Sequence, residues 1–198
     1  MPAIAAAILT GGHSCRMGRD KALLQFGPST LIERVITAVT PVADELLLIT
    51  RQSDDFADLG LPTHADLHPD LGPLGGLYTA LKKSSATALF LLPCDLPFIT
   101  SDFLRFLLRQ LDDHQAVIPH NAQGLQPLCA VYTPACLPAI EAALAADRLS
   151  IRALQDDIDA HILPADEWRH LDPQELLFMN INTPADYEHA RQIALDQV

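Results

Sequence analysis

The stretch Ile4-Ala5-Ala6-Ala7-Ile8-Leu9-Thr10-Gly11-Gly12-His13-Ser14-Cys15-Arg16-Met17-Gly18-Arg19-Asp20-Lys21 decides how this chain is read. Ile4 to Leu9 is a short apolar run with the character of a buried strand. It empties into a glycine-rich turn that carries Arg16 and Lys21. Backbone amides at a strand end, joined by spaced cations, suit a polyphosphate. The common nucleotide loops are nevertheless absent: Gly12 and Gly18 are not set in G-x-x-x-x-G-K-S/T, and there is no G-x-G-x-x-G.

Outward from that stretch, apolar runs alternate with helical stripes. Ile4 to Leu9, Leu46 to Thr50, Ala88 to Leu92, Ala116 to Pro119 and Leu128 to Tyr132 read as strands. Leu31, Ile32, Val35, Ile36 and Val39 share one helical face, as do Phe103, Leu104, Leu107, Leu108 and Leu111. Thr133-Pro134 and Thr183-Pro184 each set a capping Thr before a Pro at the first helical position. Ser150 is placed to cap a short helix through Asp156, and Ala139 to Ala146 reads as alanine-rich helix. The alternation predicts an α/β fold of three layers, α/β/α, around a mainly parallel (mixed) sheet. The 198 residues are expected to form a single domain over 1–198, large enough to bury a core without staples.

Thirteen Lys and Arg against 25 Asp and Glu give a formal charge of −12, which disfavours a nucleic-acid partner. On so acidic a chain, cations gathered at 16 to 21 point to an anionic ligand. The four cysteines form no C-x-x-C pair and have no zinc-site spacing, as expected in a reducing, cytoplasmic setting. Ile4 to Leu9 is too short for a signal peptide, and no apolar run approaches the roughly 20 residues that span a bilayer, so no membrane association is expected. His64 and His68 flank Asp66 in a segment rich in Pro and Asp that reads as loop.

In open sheets of this kind ligands bind beyond the carboxyl ends of the strands. The glycine turn follows the first strand, Thr50-Arg51 the second, and Pro93-Cys94-Asp95-Leu96-Pro97 the run from Ala88. Asp95, held between two prolines, suits a Mg²⁺ ion that takes one or two carboxylates and fills its shell with phosphate and water. A helix cap is the competing role, but the helix starts near Thr100, too far for Asp95 to reach directly. Arg16 and Lys21 bring positive charge to where phosphoryl transfer builds negative charge, and no Ser-His-Asp arrangement accompanies them. Asp66 to Leu77 is a second glycine-rich segment running into a helix. Asp66 there is able to accept from a base edge or ribose, while Gly75 and Gly76 allow either a ligand or a tight helix–sheet contact. Asn180 and Asn182 stand two apart, so that in an extended segment both amides point one way, toward a polar second substrate or a hydrated metal; turn chemistry before the Thr183 cap is the alternative. Arg152 is either an anion grip or an ordinary surface arginine.

Five motifs in order, L-x-G-G-x-S-x-R-M-G-x-D-K-A-L-L (Leu9 to Leu24), G-P-L-G-G (Gly72 to Gly76), L-P-C-D-x-P-F (Leu92 to Phe98), Q-P-L-C-A-V-Y (Gln126 to Tyr132) and N-I-N-T-P (Asn180 to Pro184), resemble the molybdenum cofactor guanylyltransferases nearly end to end. The resemblance implies a Rossmann-like nucleotidyltransferase fold, with GTP and Mo-molybdopterin as substrates and Mg²⁺ as cofactor. GMP would join the terminal phosphate of the pterin, releasing pyrophosphate. It also implies that the backbone of Leu9, Thr10, Gly11 and Gly12, with Asp66, binds the nucleotide. Arg16 and Lys21 would neutralise its phosphates, Asp95 would hold Mg²⁺ beside the α-phosphate, and Arg152, Asn180 and Asn182 would lie toward the pterin. A monomer is expected, with molybdoenzyme maturation proteins as further partners. One departure is Thr10, where the family usually has Ala. The pairs Gly11-Gly12 and Gly75-Gly76 resemble the guanylyl rather than the cytidylyl branch. The alternatives are a nucleotidyltransferase that uses CTP or a sugar or alcohol phosphate, and a non-catalytic GTP-binding partner.

Overall fold

The computed structural model describes residues 3–10, 21–51 and 56–196. In chain order the strands are β1 (Ile4–Leu9), β2 (Gln25–Phe26), β3 (Ser29–Thr30), β4 (Glu45–Thr50), β5 (Thr63–Ala65), β6 (Ala88–Pro93), β7 (Ala116–Asn121), β8 (Gly124–Leu125), β9 (Ala130–Tyr132) and β10 (Ala160–Pro164). The helices are α1 (Leu31–Val39), α2 (Gly72–Lys83), α3 (Ser101–Arg109), α4 (Leu137–Ala145), α5 (Ala165–Trp168) and α6 (Pro184–Asp196).

The main sheet runs β10-β7-β9-β6-β1-β4-β5, with β8 paired to β7. Pairings of β1 with β4 and β6, β4 with β5, and β7 with β10 are parallel; β9 lies antiparallel between β6 and β7. The strands' period of two sorts the core into two layers. Ala6, Ile8, Phe90 and Leu92 face α1 and α3, whereas Ala5, Ala7, Leu89 and Leu91 face α2 and α4. This is the mainly parallel, three-layer α/β/α arrangement that the alternating pattern predicts. Among the described residues no helix is long and apolar enough to cross a membrane.

Three local readings change, the first at His64, which lies in β5 paired with Ile49 of β4 and not in a loop. The chain from Leu128 turns before it pairs, Cys129 N–H donating to the Gln126 carbonyl at 3.0 Å, so β9 begins only at Ala130. Thr133 caps no helix; its hydroxyl donates to the Gln115 carbonyl at 3.0 Å, and a 3-10 turn at Pro134–Cys136 precedes α4. Of the two readings left open at Gly75 and Gly76, close packing holds, for both lie inside α2. A Cβ on Gly75 would stand 2.6 Å from the His68 carbonyl oxygen, and one on Gly76 would stand 2.9 Å from the Leu9 side chain.

A third, small core positions the site. Phe26, Leu31, Phe98, Ile181 and Ala190 pack together, with Phe26 and Phe98 edge to face at 5.9 Å. Arg34 lies over the Phe26 ring and donates from Nε to the Pro97 carbonyl at 2.9 Å, while the Tyr187 hydroxyl donates to the Gln25 carbonyl. The hairpin after Lys21, the loop after Asp95 and the start of α6 are thereby tied to one another.

Candidate active site

The carboxyl ends of the parallel strands meet at one edge, as the alternation requires. Thr10 N–H donates to Ile49 O at 3.0 Å, Cys94 N–H to Leu9 O at 3.2 Å and Asp66 N–H to Thr50 O at 2.8 Å. Asp95 therefore follows β6 beside the end of β1. Its backbone carbonyl accepts from Ile181 N–H at 3.2 Å, which docks the segment carrying Asn180 and Asn182 onto the same edge.

Lys21, in a 3-10 turn at Lys21–Leu23, reaches this same edge. Its ammonium donates to Asp95 Oδ2 and, at 2.8 Å, to Asn182 Oδ1. The pair is largely withdrawn from water, with side-chain exposures of 11% for Lys21 and 13% for Asp95. Asp95 Oδ1 is buried with no hydrogen-bond partner among the described residues. An unpaired buried carboxylate oxygen is costly unless something else meets it. A hard divalent cation, which prefers oxygen ligands, fits this donor. Among the described residues no group of three or more His, Cys, Asp or Glu is placed to hold a metal, so solvent or substrate oxygens would complete such a shell.

Gly11, Gly12 and Arg16 lie outside the described residues. Leu9 ends β1, and its side chain meets α2 at Gly76. Thr10 is 7% exposed, and both its amide and its hydroxyl donate to Ile49 O, the latter at 3.3 Å. The donors of Thr10 are thus held in the sheet. Asp66 follows β5, and its Oδ1 accepts from His68 N–H at 2.9 Å and from the buried Thr79 hydroxyl at 2.7 Å. Thr79 in turn accepts from Leu67 N–H at 2.9 Å, which fixes the loop that presents Asp66 at the strand edge.

Arg152 and Asn180 line a cleft of about 390 Å³, floored by Pro93, Leu96, Leu128 and Ile151. Its volume is that of a small-molecule site. Arg152 is exposed and makes no ion pair among the described residues; Gly124, at φ +102°, brings the β7–β8 turn beside its guanidinium. Asn180 donates from Nδ2 to Phe178 O at 3.3 Å. The two asparagines therefore part: Asn180 belongs to the cleft, whereas Asn182 bonds to Lys21.

Sequence reasoning missed Asp186. Its Oδ2 accepts from Asn182 N–H at 2.9 Å and Thr183 N–H at 2.8 Å, while Thr183 Oγ1 accepts from Asp186 N–H at 3.1 Å. These donors hold its carboxyl below the usual range, those from the Asn182 and Thr183 backbone most strongly. The signal was present as Thr183-Pro184-Ala185-Asp186, a cap with an acid at its third helical position.

The MobA-like NTP transferase domain family matches residues 6–161. A protein of Carboxydothermus hydrogenoformans named "probable molybdenum cofactor guanylyltransferase" is 33% identical over 193 residues, covering 98% of each chain. The molybdenum cofactor guanylyltransferase of Desulfosudis oleivorans is 31% identical over 192 residues, covering 96% of this chain and 95% of that one. Among solved structures, molybdopterin-guanine dinucleotide biosynthesis protein A from Archaeoglobus fulgidus superposes with a TM-score of 0.83 at 24% identity, over 97% of this chain and 99% of that one. With a strand-edge lysine–aspartate pair beside an arginine-bearing cleft, and relatives matched over nearly their whole length, the chain belongs to the MobA-like NTP transferases, among the molybdenum cofactor guanylyltransferases.

Proposed function

We propose that this protein transfers GMP from GTP to the terminal phosphate of Mo-molybdopterin, with Mg²⁺ as the divalent ion, and releases pyrophosphate. The carrying observation is the Lys21–Asp95 pair with its unpartnered Asp95 Oδ1, set beside the cleft that holds Arg152. An oxygen of the acceptor phosphate forms a bond to the α-phosphorus of GTP as the bond to the pyrophosphate leaving group breaks. Lys21, with Arg16, offsets the charge that builds on the phosphate oxygens. Mg²⁺ held on Asp95 would add counter-charge to the phosphates when bound. Asp66, with the backbone of Gly11 and Gly12, receives the nucleotide beyond Leu9 and Thr10, whose own donors stay in the sheet, while Arg152 and Asn180 grip the acceptor. In this reading the whole chain acts as one nucleotidyltransferase domain and as a monomer in the cytoplasm, handing its product to maturation proteins of molybdoenzymes.

The test is incubation with labelled GTP, Mg²⁺ and Mo-molybdopterin, followed by identification of the labelled product. Guanine dinucleotide cofactor and equimolar pyrophosphate are expected. Transfer from CTP in preference to GTP would replace the guanine reading. GTP binding with no pyrophosphate released in the presence of acceptor would replace the catalytic one.

A further inference from the structure

We infer that Asp186 is a positioning residue for the reaction, acting through the backbone of Asn182 to set the Lys21 ammonium. A helix-capping acid ordinarily meets the amide of the cap residue itself. The Asp186 carboxylate does so at Thr183 but also takes the amide of the preceding residue, Asn182. Asn182 is gripped from its other side as well: the preceding Ile181 is fully buried and donates its N–H to the Asp95 carbonyl. With its backbone held on both sides, Asn182 keeps only side-chain torsions free, and its Oδ1 ends on Lys21 Nζ at 2.8 Å. One connected path therefore runs from the first turn of α6 to the Lys21–Asp95 pair. Lys21 is a long, rotamer-rich side chain, so a fixed acceptor opposite its ammonium lowers the entropy of holding it on the phosphates.

The activity arm of the test rests on the function proposed above, and a second arm does not. Asp186→Asn keeps an oxygen acceptor for both amides and removes the charge; Asp186→Ala removes both. For Asp186→Ala, kcat is expected to fall roughly ten- to hundredfold, the scale of a misplaced reacting group, with the KM for GTP little changed. Asp186→Asn should recover most of that loss. The double variant Asp186→Ala, Asn182→Ala should be no slower than Asn182→Ala alone, since both act on one path. Losses that multiply in the double variant would overturn the path, an equal loss in Asp186→Asn and Asp186→Ala would assign the effect to charge instead, and an unchanged kcat with a lowered Tm would leave only a helix cap. The second arm reads acylation of Lys21 by an amine-reactive acetylating reagent, without substrates, by peptide mass spectrometry. Its rate should rise several-fold in Asp186→Ala and Asn182→Ala and stay near wild type in Asp186→Asn. An unchanged rate in Asp186→Ala overturns the inference whatever the enzyme's substrate proves to be.

Discussion

Lys21 bonds one carboxylate oxygen of Asp95 and leaves the other, buried, with no partner among the described residues. The division matters because the two roles expected of this carboxylate, partner to a lysine and ligand to a metal, compete only when they fall on the same oxygen. Here each role has its own. The ammonium can stay on Oδ2 while a cation is received at Oδ1.

That division predicts how Asp95→Asn behaves. The amide oxygen still accepts from Lys21, so circular dichroism and Tm should show a folded protein. The ability to hold a divalent ion is lost with the charge. Turnover is expected to vanish and Mn²⁺ binding, followed by electron paramagnetic resonance, to weaken sharply. Normal pyrophosphate release by this variant would remove Asp95 from the metal role.

Lys21→Ala tests the charge rather than the ligand. If the ammonium acts as other preorganised charge stabilisers do, its removal costs about 2.7 to 4 kcal/mol of transition-state binding. The loss should appear in kcat, with a smaller change in the KM for GTP. Unaltered kcat would exclude Lys21 from the chemistry.

Much of this site is legible before any coordinates. Ile4 to Leu9 and Ala88 to Leu92 are apolar enough to be central strands, and the rule that ligands gather at strand carboxyl ends brings the region after Leu9 and Asp95 together. The Lys21–Asn182 bond is not legible, because it joins positions 161 apart through packing of Phe26, Phe98 and Ile181 that no local pattern encodes. Thr133 shows the opposite failure: a sound local cap signal gives way to a hydrogen bond with Gln115, across the fold. Gly75 and Gly76 admit two meanings as letters, and only the nearness of His68 O and Leu9 selects packing.

The same two glycines give an asymmetric prediction. Alanine in a helix interior is favoured over glycine by about 1 kcal/mol. At Gly75 the new Cβ would press on the backbone carbonyl of His68, which has no soft escape and lies in the loop carrying Asp66. Gly75→Ala should therefore destabilise the protein by about 1 to 3 kcal/mol, as overpacking does. At Gly76 the obstacle is the end of the Leu9 side chain, which can rotate, so Gly76→Ala should cost less. Denaturant midpoints of the two variants check the order; equal or reversed midpoints would mean that the His68 loop yields freely.

Acid should act on the start of α6 with a definite sign. The carboxyl of Asp186 lies below its ordinary value, chiefly because the Asn182 and Thr183 amides donate to the ionised form. A group lowered in the folded state contributes stability that is fully present above its unfolded value, about 3.9, and lost as pH falls through the folded one. Glu33, which closes the capping box of Thr30 at α1, is lowered for the same reason and follows the same course. In Asp186→Asn the titrating share of α6 is gone while that of Glu33 remains. The Tm difference between wild type and this variant should therefore hold steady from neutral pH to about pH 5 and shrink as pH falls below about 4, from the unfolded carboxylate value toward the lower folded one. Thermal scans across that range check it, and a gap that widens on acidification would contradict the assignment of Asp186 as an ionised acceptor of the Asn182 and Thr183 amides.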